Sequence, residues 1–325
     1  MEEETMSAIW IVVLFVLGLL LTIKGGDFFV DAASWIAEVS GIPKFIVGAT
    51  IVSLATTLPE LLVSMMAAAK GSIGISVGNA VGSVTANVGL IMALSLLFMP
   101  AVIRRREYAF KFVMLLASIL LLYGFSFSGE LKLYGAVILL VLFGVFMAEN
   151  VLTAKKKMGA ADGEARPARD RRSVTVNIVK FVLGAAGIVA GAQLMVDNGT
   201  ALARLLGIPE AIIGATLVAI GTSLPELVTT LTAIAKKQSS LSIGNIVGAN
   251  IIDLTVILPL CAVVSGKSLP MLAQNIQLDM PFCLGLCLLA VVPTMITGKL
   301  KRAQGALLLA TYAAYIVLLV ISTAA

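Results

Sequence analysis

The amino-acid sequence predicts an all-α, polytopic membrane protein whose ten transmembrane helices form two inverted repeats of five helices each. Three observations lead to this fold class. The 325 residues are 59% hydrophobic and only 13% charged, with a mean hydropathy of +1.05, which is typical of membrane proteins. Several apolar runs reach the roughly 20 residues that a spanning helix needs. In addition, a long segment of the first half recurs in the second half.

The repeated segment keeps a constant offset of 166 residues. Residues 48–60 read GATIVSLATTLPE, and residues 214–226 read GATLVAIGTSLPE. Over the 20 positions that end at Glu60 and at Glu226, the two copies are identical at 12. A repeat of this length indicates an internal duplication.

The same offset continues without a gap into the next predicted span. It pairs residues 76–87 (SVGNAVGSVTAN) with residues 242–253 (SIGNIVGANIID). Asn87 is therefore the counterpart of Asp253, so one amide in the first half matches one carboxyl group in the second.

The hydrophobic segments are expected to give five spans in each half. In the first half we place them at residues 7–23, 42–69, 73–102, 108–125 and 133–148. In the second half we place them at residues 174–196, 208–235, 241–264, 278–295 and 303–321. Because five is an odd number, two copies in series must cross the membrane in opposite orientations. That is the inverted-repeat arrangement of many secondary transporters.

A polar segment between the halves predicts the topology. We expect residues 1–153 to form the first half, 154–173 a cytoplasmic linker and 174–325 the second half. All 23 basic residues fall on the linker side of the membrane except Lys70, Lys132, Arg204 and Lys267. By the positive-inside rule, the linker should lie in the cytoplasm and both termini outside, in an inner or plasma membrane.

The start of the chain and its charge exclude two other interpretations. Residues 2–4 are all glutamate, whereas a signal peptide begins with basic residues, so the first span should be retained. The net charge of +5 does not indicate nucleic-acid binding, because the basic residues are sorted by loop.

The absence of certain side chains restricts the possible metal chemistry. The chain has no histidine, and its three cysteines lie in apolar segments. Histidine is the commonest ligand for zinc, copper and nickel, and buried cysteines usually act as small apolar residues. Carboxylates and neutral oxygen atoms are therefore the ligands that remain.

Four predicted spans, the second, third, seventh and eighth, are interrupted by polar residues near their middle. The second contains Glu60 directly after Pro59, and the seventh contains Glu226 directly after Pro225. An acidic residue at this depth is costly and usually functional, and a proline leaves a backbone carbonyl without its helical donor. Paired, interrupted helices in two halves point to a substrate site near the middle of the bilayer.

The proposed centre offers only oxygen ligands. It contains three carboxylates, from Glu60, Glu226 and Asp253, and one amide, from Asn87. The hydroxyl groups come from Thr56, Thr57, Ser83, Thr222 and Ser223. Such a set favours calcium, which binds six to eight oxygens. Three buried anions repel one another, so a cation should occupy the centre in each resting state, and sodium ions, protons or calcium must replace one another.

At these residues the sequence resembles the calcium/cation antiporter superfamily, and most closely its prokaryotic sodium/calcium exchanger-like branch. The resemblance is carried by TTLPE at 56–60, GTSLPE at 221–226 and GNIVGANIID at 244–253. It implies a secondary antiporter that exchanges calcium for sodium by alternating access. An antiporter of this kind is not an enzyme, and no cofactor or protein partner is expected beyond the transported cations and the lipid bilayer.

The resemblance also implies a role for individual residues. Calcium would be bound by Glu60, Asn87, Glu226 and Asp253. Sodium binding would be assisted by Thr56, Ser83, Thr222, Ser223 and the carbonyl groups of Ser53 and Ala219, with Thr57 in support.

The chain departs from the family pattern at four positions, Ala55, Thr57, Val84 and Ala249. Ala249 replaces the usual serine of the second repeat, so one sodium position loses a hydroxyl while all four calcium ligands remain. A proton/calcium exchanger is therefore the alternative within transport, since clustered carboxylates can carry protons. A cation channel could use the same acidic residues, but paired inverted halves around one centre favour an antiporter.

Overall fold

The computed structural model describes residues 2–69, 71, 73–160, 170–205, 221 and 223–324. Within these residues, eight helices are long and apolar enough to cross a membrane. The number is nine if the bent pair Lys44–Thr56 and Leu58–Ala69 counts as one span. The prediction of a helical, polytopic membrane protein is confirmed at this level. Half of the seventh predicted span, 208–235, lies outside the described residues.

The described part of the first half has six helices and two short strands. They are α1 (Glu2–Ser40), α2 (Lys44–Thr56), α3 (Leu58–Ala69), α4 (Ile73–Ala86 continued by Asn87–Met92 and Ala93–Phe98), β1 (Ala101–Val102), α5 (Arg105–Ser126), β2 (Glu130–Leu131) and α6 (Leu133–Ala160).

The described part of the second half has five helices and two short strands. They are α7 (Arg171–Leu205), α8 (Leu224–Ala235), α9 (Ser239–Ser265), β3 (Leu269–Pro270), α10 (Asn275–Thr297), β4 (Lys299–Leu300) and α11 (Arg302–Ala324).

Several helices are longer than the predicted spans. The first span was placed at 7–23, but α1 continues to Ser40 and ends before Gly41, which adopts a φ of 71°. Asp27 and Asp31 therefore lie inside a helix rather than near its end. The predicted linker 154–173 is likewise helical at both ends, since α6 runs to Ala160. Hydropathy detects the apolar part of a helix, whereas the helix itself ends only where the backbone changes conformation.

The start of α7 shows such a local signal. Asp170 directly precedes α7, and hydrogen bonding with Ser173 lowers the pKa of its exposed carboxyl group. An acidic residue at the N-terminus of a helix accepts from free backbone N–H groups and complements the helix dipole.

Helices α1 and α7 are packed closely against each other. A Cβ atom at Gly25 would lie 2.8 Å from the carbonyl oxygen of Gly184, and one at Gly184 would lie 2.6 Å from the backbone nitrogen of Phe29. Small residues of this kind allow membrane helices to approach closely. The two longest helices therefore form a pair.

The short strands tie the two halves together at opposite ends of the bundle. β1 pairs with β4, with Ala101 opposite Leu300, and β2 pairs with β3, with Leu131 opposite Leu269. We call the end that carries the β1–β4 pair, where α6 ends and α7 begins, the linker face. The opposite end, with the β2–β3 pair, is the distal face. The sequence did not predict these two-residue strands, because they lie in loops and depend on a partner far along the chain.

Two charged residues pair at the linker-side ends of α5 and α6. Lys111 is only 2% exposed and forms a short ion pair with Glu149, which also accepts a hydrogen bond from Thr153 at 2.8 Å. No function was assigned to Glu149 from the sequence. Its structural role is to neutralise a lysine buried in the bundle.

The centre of the molecule is formed by α9, whose first twelve residues from Leu241 are all buried. Glycines bring α9 against α2: a Cβ atom at Gly248 would lie 2.5 Å from both the Ala49 carbonyl oxygen and the Ser53 hydroxyl. Because α2 leads directly to Glu60 and α9 leads to Asp253, this contact brings the two repeated segments to one place.

Candidate functional site

Two different helices each carry a buried carboxyl group in their first turn. The chain bends by 45° between α2 and α3. Pro59, which lies just after the bend, lacks the N–H that a continuous helix would need and so favours a break here. Glu60 comes next and is 1% exposed. Glu226 occupies the matching position in α8 after Pro225 and is fully buried. The N-terminus of a helix carries a partial positive charge, which favours a carboxylate at this position.

The other two predicted calcium ligands each begin a π-helical turn. The turn in α4 starts at Asn87, and the turn in α9 starts at Asp253. Both residues are 1% exposed. Turns of this kind are rare and frequently lie at functional sites. The two halves therefore share the backbone conformation at Asn87 and Asp253, as well as the sequence pattern around them.

The three carboxyl groups are close enough to interact. Glu60 interacts electrostatically with Glu226 and with Asp253, and Asp253 interacts with Glu226. The Thr57 hydroxyl, at the bend between α2 and α3, donates to Glu226 Oε1 at 3.3 Å. The structure thus brings together acidic residues that are separated by up to 193 positions in the sequence.

Two asparagines of α9 extend the site beyond the predicted set. Asn87 Nδ2 donates to Asn250 Oδ1 at 3.0 Å, and the Thr56 hydroxyl donates to Asn245 Oδ1 at 3.2 Å. The sequence contained a signal for Asn245, since the repeat pairs it with Asn79. Asn79 in turn donates to the backbone oxygen of Glu60 at 3.3 Å.

Many oxygens of this centre have no hydrogen-bond donor. Among the described residues, the buried atoms without a hydrogen-bond partner include both carboxylate oxygens of Glu60 and Asp253, Glu226 Oε2, Asn87 Oδ1 and the hydroxyls of Ser83 and Ser223. Leaving a buried polar group unpaired costs about 1–3 kcal/mol, and more for a charged group. These oxygens therefore need a counterpart that no described side chain supplies.

The acidic groups do not form a complete metal site by themselves. Within the described ranges, no group of three or more acidic or cysteine side chains could hold a metal ion. A cation at this centre would therefore need the amide and hydroxyl oxygens as well as the carboxylates.

The predicted sodium-binding residues are described only in part. Ser53, Thr56, Ser83 and Ser223 are buried near the bend or in the adjoining helices. The Ser53 carbonyl accepts from the Thr57 N–H at 2.9 Å and from the Thr56 hydroxyl at 3.3 Å. Ala219 and Thr222 lie outside the described residues.

A cavity of about 520 Å³ lies between the starts of α3 and α8 and the distal half of α7. At one end its wall includes Pro59 and Pro225, which precede the two glutamates. At the other end it includes Gln193 and Asp197, whose side chains are exposed. The cavity therefore reaches, from the distal side, the two prolines that directly precede Glu60 and Glu226.

Long apolar helices, interrupted spans and a buried cluster of carboxylates define a polytopic membrane protein of the class that contains ion-coupled transporters. The family model described as "Sodium/calcium exchanger protein" matches residues 10–151 and 176–321 of the chain. The chain belongs to the sodium/calcium exchanger family. This membership confirms the prediction of a calcium/sodium antiporter, and the family is one of transporters rather than enzymes.

Similar proteins cover almost the whole chain. The sodium/calcium exchanger MaX1 of Methanosarcina acetivorans is 32% identical and aligns with 94% of this chain and 97% of its own length. An uncharacterized membrane protein of Methanocaldococcus jannaschii is 33% identical, over 92% of this chain and 94% of that protein. A solved structure of the sodium-calcium exchanger NCX_Mj, soaked with Na⁺ and Sr²⁺, matches with a TM-score of 0.83 and 31% identity. That match covers 95% of this chain and 99% of the exchanger.

Proposed function

We propose that this chain exchanges Ca²⁺ for Na⁺ across the membrane by alternating access, and that Glu60, Asn87, Glu226 and Asp253 bind the calcium ion. The observation that carries the proposal is the set of buried carboxylate and amide oxygens that have no donor among the described residues. Calcium prefers six to eight oxygen ligands in a flexible arrangement, so it would satisfy oxygens that are otherwise costly to bury.

Sodium ions would occupy the hydroxyl-rich surroundings of the same centre. The proposed ligands are the side chains of Thr56, Thr57, Ser83, Thr222 and Ser223 and the carbonyls of Ser53 and Ala219. The buried hydroxyls of Ser83 and Ser223, which have no partner in the described part of the chain, support this assignment. Thr222 and Ala219 are assigned from the sequence alone. Sodium and calcium would then compete for overlapping oxygens, which couples their movement.

We further propose ten spans in two inverted halves, 1–153 and 174–325, with the 154–173 linker in the cytoplasm and both termini outside. The strands support the inversion. β1 follows the third predicted span and lies on the linker face, whereas β3 follows the matching eighth span and lies on the distal face. Loops that correspond in the repeat but lie at opposite ends are what an inverted duplication produces.

The test is the uptake of radioactive calcium into proteoliposomes. Vesicles preloaded with sodium chloride are compared with vesicles that carry only an outward proton gradient. We expect uptake that requires internal sodium. Uptake driven by the proton gradient alone would show that protons, and not sodium ions, are the counter-ion. No uptake under either condition would contradict the calcium assignment.

Proton/calcium exchange is the second candidate because the two halves are chemically unequal. Ser83 contributes a buried hydroxyl with no hydrogen-bond partner among the described residues, whereas its repeat counterpart is Ala249. The second half therefore lacks the hydroxyl that Ser83 supplies in the first, while the carboxylates that could bind protons are unchanged.

Ala249→Ser is expected to strengthen the dependence of calcium uptake on sodium, because it restores the missing oxygen at a fully buried position of α9. The sodium concentration for half-maximal calcium uptake should fall several-fold, while the apparent calcium affinity changes little. An unchanged sodium response would show that the missing hydroxyl does not limit sodium binding.

A further inference from the structure

The two ends of the α1–α7 pair are held differently against the other helices. Towards the linker face α1 packs tightly on α8, since a Cβ atom at Gly26 would lie 2.7 Å from the Thr232 hydroxyl. Phe29 of α1 and Ala233 of α8 are fully buried in one apolar cluster at this contact. Towards the distal face, α7 instead borders the cavity that is also lined by Pro59 and Pro225. The pair is thus closely packed on α8 towards the linker face, whereas towards the distal face Val196 of α7 contacts Gly221 and α7 borders the cavity beside that contact.

A lysine with two acidic partners lies across the closely packed end. Lys236 directly follows α8, and its Nζ atom lies 2.7 Å from Asp31 Oδ1 and 3.4 Å from Asp27 Oδ1. It also donates to the backbone oxygen of Asp27 at 2.9 Å. Both partners belong to α1, and the Lys236 side chain is 25% exposed. An ion pair of this kind joins the two helices but can open without disrupting a core.

Asp31, which pairs with Lys236, has a counterpart in the repeat that lies beside the distal cavity. The offset of 166 residues aligns Asp31 with Asp197, and both follow a valine. Asp197 lines the distal cavity and accepts a hydrogen bond from Gln193 at 2.8 Å. At the linker end this acidic position pairs with Lys236, and at the distal end it lines the cavity. Lys70, the repeat counterpart of Lys236, lies outside the described residues.

We propose that Lys236, through Asp27 and Asp31, is a latch that holds α1 against α8 and keeps the linker face closed while the distal cavity gives access to the site. The latch rests on the proposed exchange function, because closing one face matters only if access alternates. Lys236 is a positioning residue, since it sets which face is open and acts on the ion only through α1. The latch must open before the site can be reached from the linker face.

The test uses two cysteine reporters at positions that the repeat relates. Val63 lines the distal cavity, whereas its counterpart Thr229 is fully buried in α8. Val63→Cys therefore reports access from the distal face, and Thr229→Cys reports opening at the linker face. The native cysteines are all buried, which keeps the background low. The full chain is studied in nanodiscs at one sodium concentration, with a neutral, membrane-impermeant maleimide and mass spectrometry as the readout.

Lys236→Gln is expected to raise the modification rate of Thr229→Cys about threefold, since a partly exposed ion pair changes an equilibrium constant by a small factor. The rate at Val63→Cys should stay the same or fall. Exchanging the charges, with Lys236→Asp and Asp31→Lys together, should return the Thr229→Cys rate to that of the parent. This rescue would not occur if Lys236 only contributed packing.

Lys237→Gln is the matched control, because Lys237 is exposed and forms no ion pair within the described part of the chain. It should leave both rates unchanged. The latch is overturned if Lys236→Gln leaves the Thr229→Cys rate unchanged. It is also overturned if both reporters become faster together, as general loosening of the bundle would cause.

The labelling does not depend on calcium transport, so the two proposals can fail separately. If calcium uptake fails but Lys236→Gln still exposes Thr229→Cys selectively, the latch stands and the transported ion must be revised. If uptake is normal and the selective exposure is missing, the exchange function stands and the latch is wrong.

Discussion

Glu226→Gln is expected to reduce calcium uptake about 100-fold or more, since even indirect partners of a metal ligand typically contribute 10–100-fold to affinity. Glu226 is fully buried, one of its carboxylate oxygens has no partner among the described residues, and it interacts with two other carboxyl groups. Glutamine keeps the size of the side chain but removes the negative charge and one acceptor oxygen. Glu60→Gln should have a similar effect, because Glu60 is its counterpart in the repeat.

The measurement is radioactive calcium uptake into sodium-loaded proteoliposomes, with the amount of folded protein determined by size-exclusion chromatography. Glu130→Gln provides the matched control, since Glu130 lies in β2 at the distal face and away from the centre. This control should transport normally. Uptake by Glu226→Gln at the rate of the control would remove Glu226 from the site.

Gly248→Ala is expected to lower both stability and transport. A Cβ atom at this position would lie 2.5 Å from the Ala49 carbonyl oxygen and from the Ser53 hydroxyl, so α9 and α2 would have to move apart. Overpacking of this kind typically costs about 1–3 kcal/mol. Because Ser53 is a proposed sodium ligand, we also expect a higher sodium concentration for half-maximal uptake.

Thermal unfolding in detergent and sodium-dependent uptake would check this result. Gly285→Ala is the control: it lies within helix α10, and a Cβ atom there would meet no described atom within 4 Å. Since alanine favours helices by up to about 1 kcal/mol over glycine, the control should be neutral or slightly stabilising. Equal destabilisation by both substitutions would show that close packing of α9 on α2 is not the cause.

The class of the protein and the repeat could be recognised in the amino-acid sequence, and the four calcium ligands could be predicted from it. These features are local or periodic: apolar runs of spanning length, a constant offset, and carboxylates in apolar surroundings that only function or pairing can explain. Glu60 and Glu226 could be found because each follows a proline in a segment that is otherwise suited to lipid. The constant offset then identified Asn87 and Asp253 as a second pair.

The contacts between these residues, and the further residues that join them, depend on how the helices pack. The contacts of Asn250 with Asn87 and of Lys236 with Asp31 link residues more than 160 positions apart, and no local pattern specifies such a pairing. The π-helical turns at Asn87 and Asp253, and the extension of α1 through Asp27 and Asp31, depend on backbone geometry that hydropathy does not detect. Hydropathy records which segments leave water, whereas long-range packing fixes which polar groups face one another once the helices are assembled.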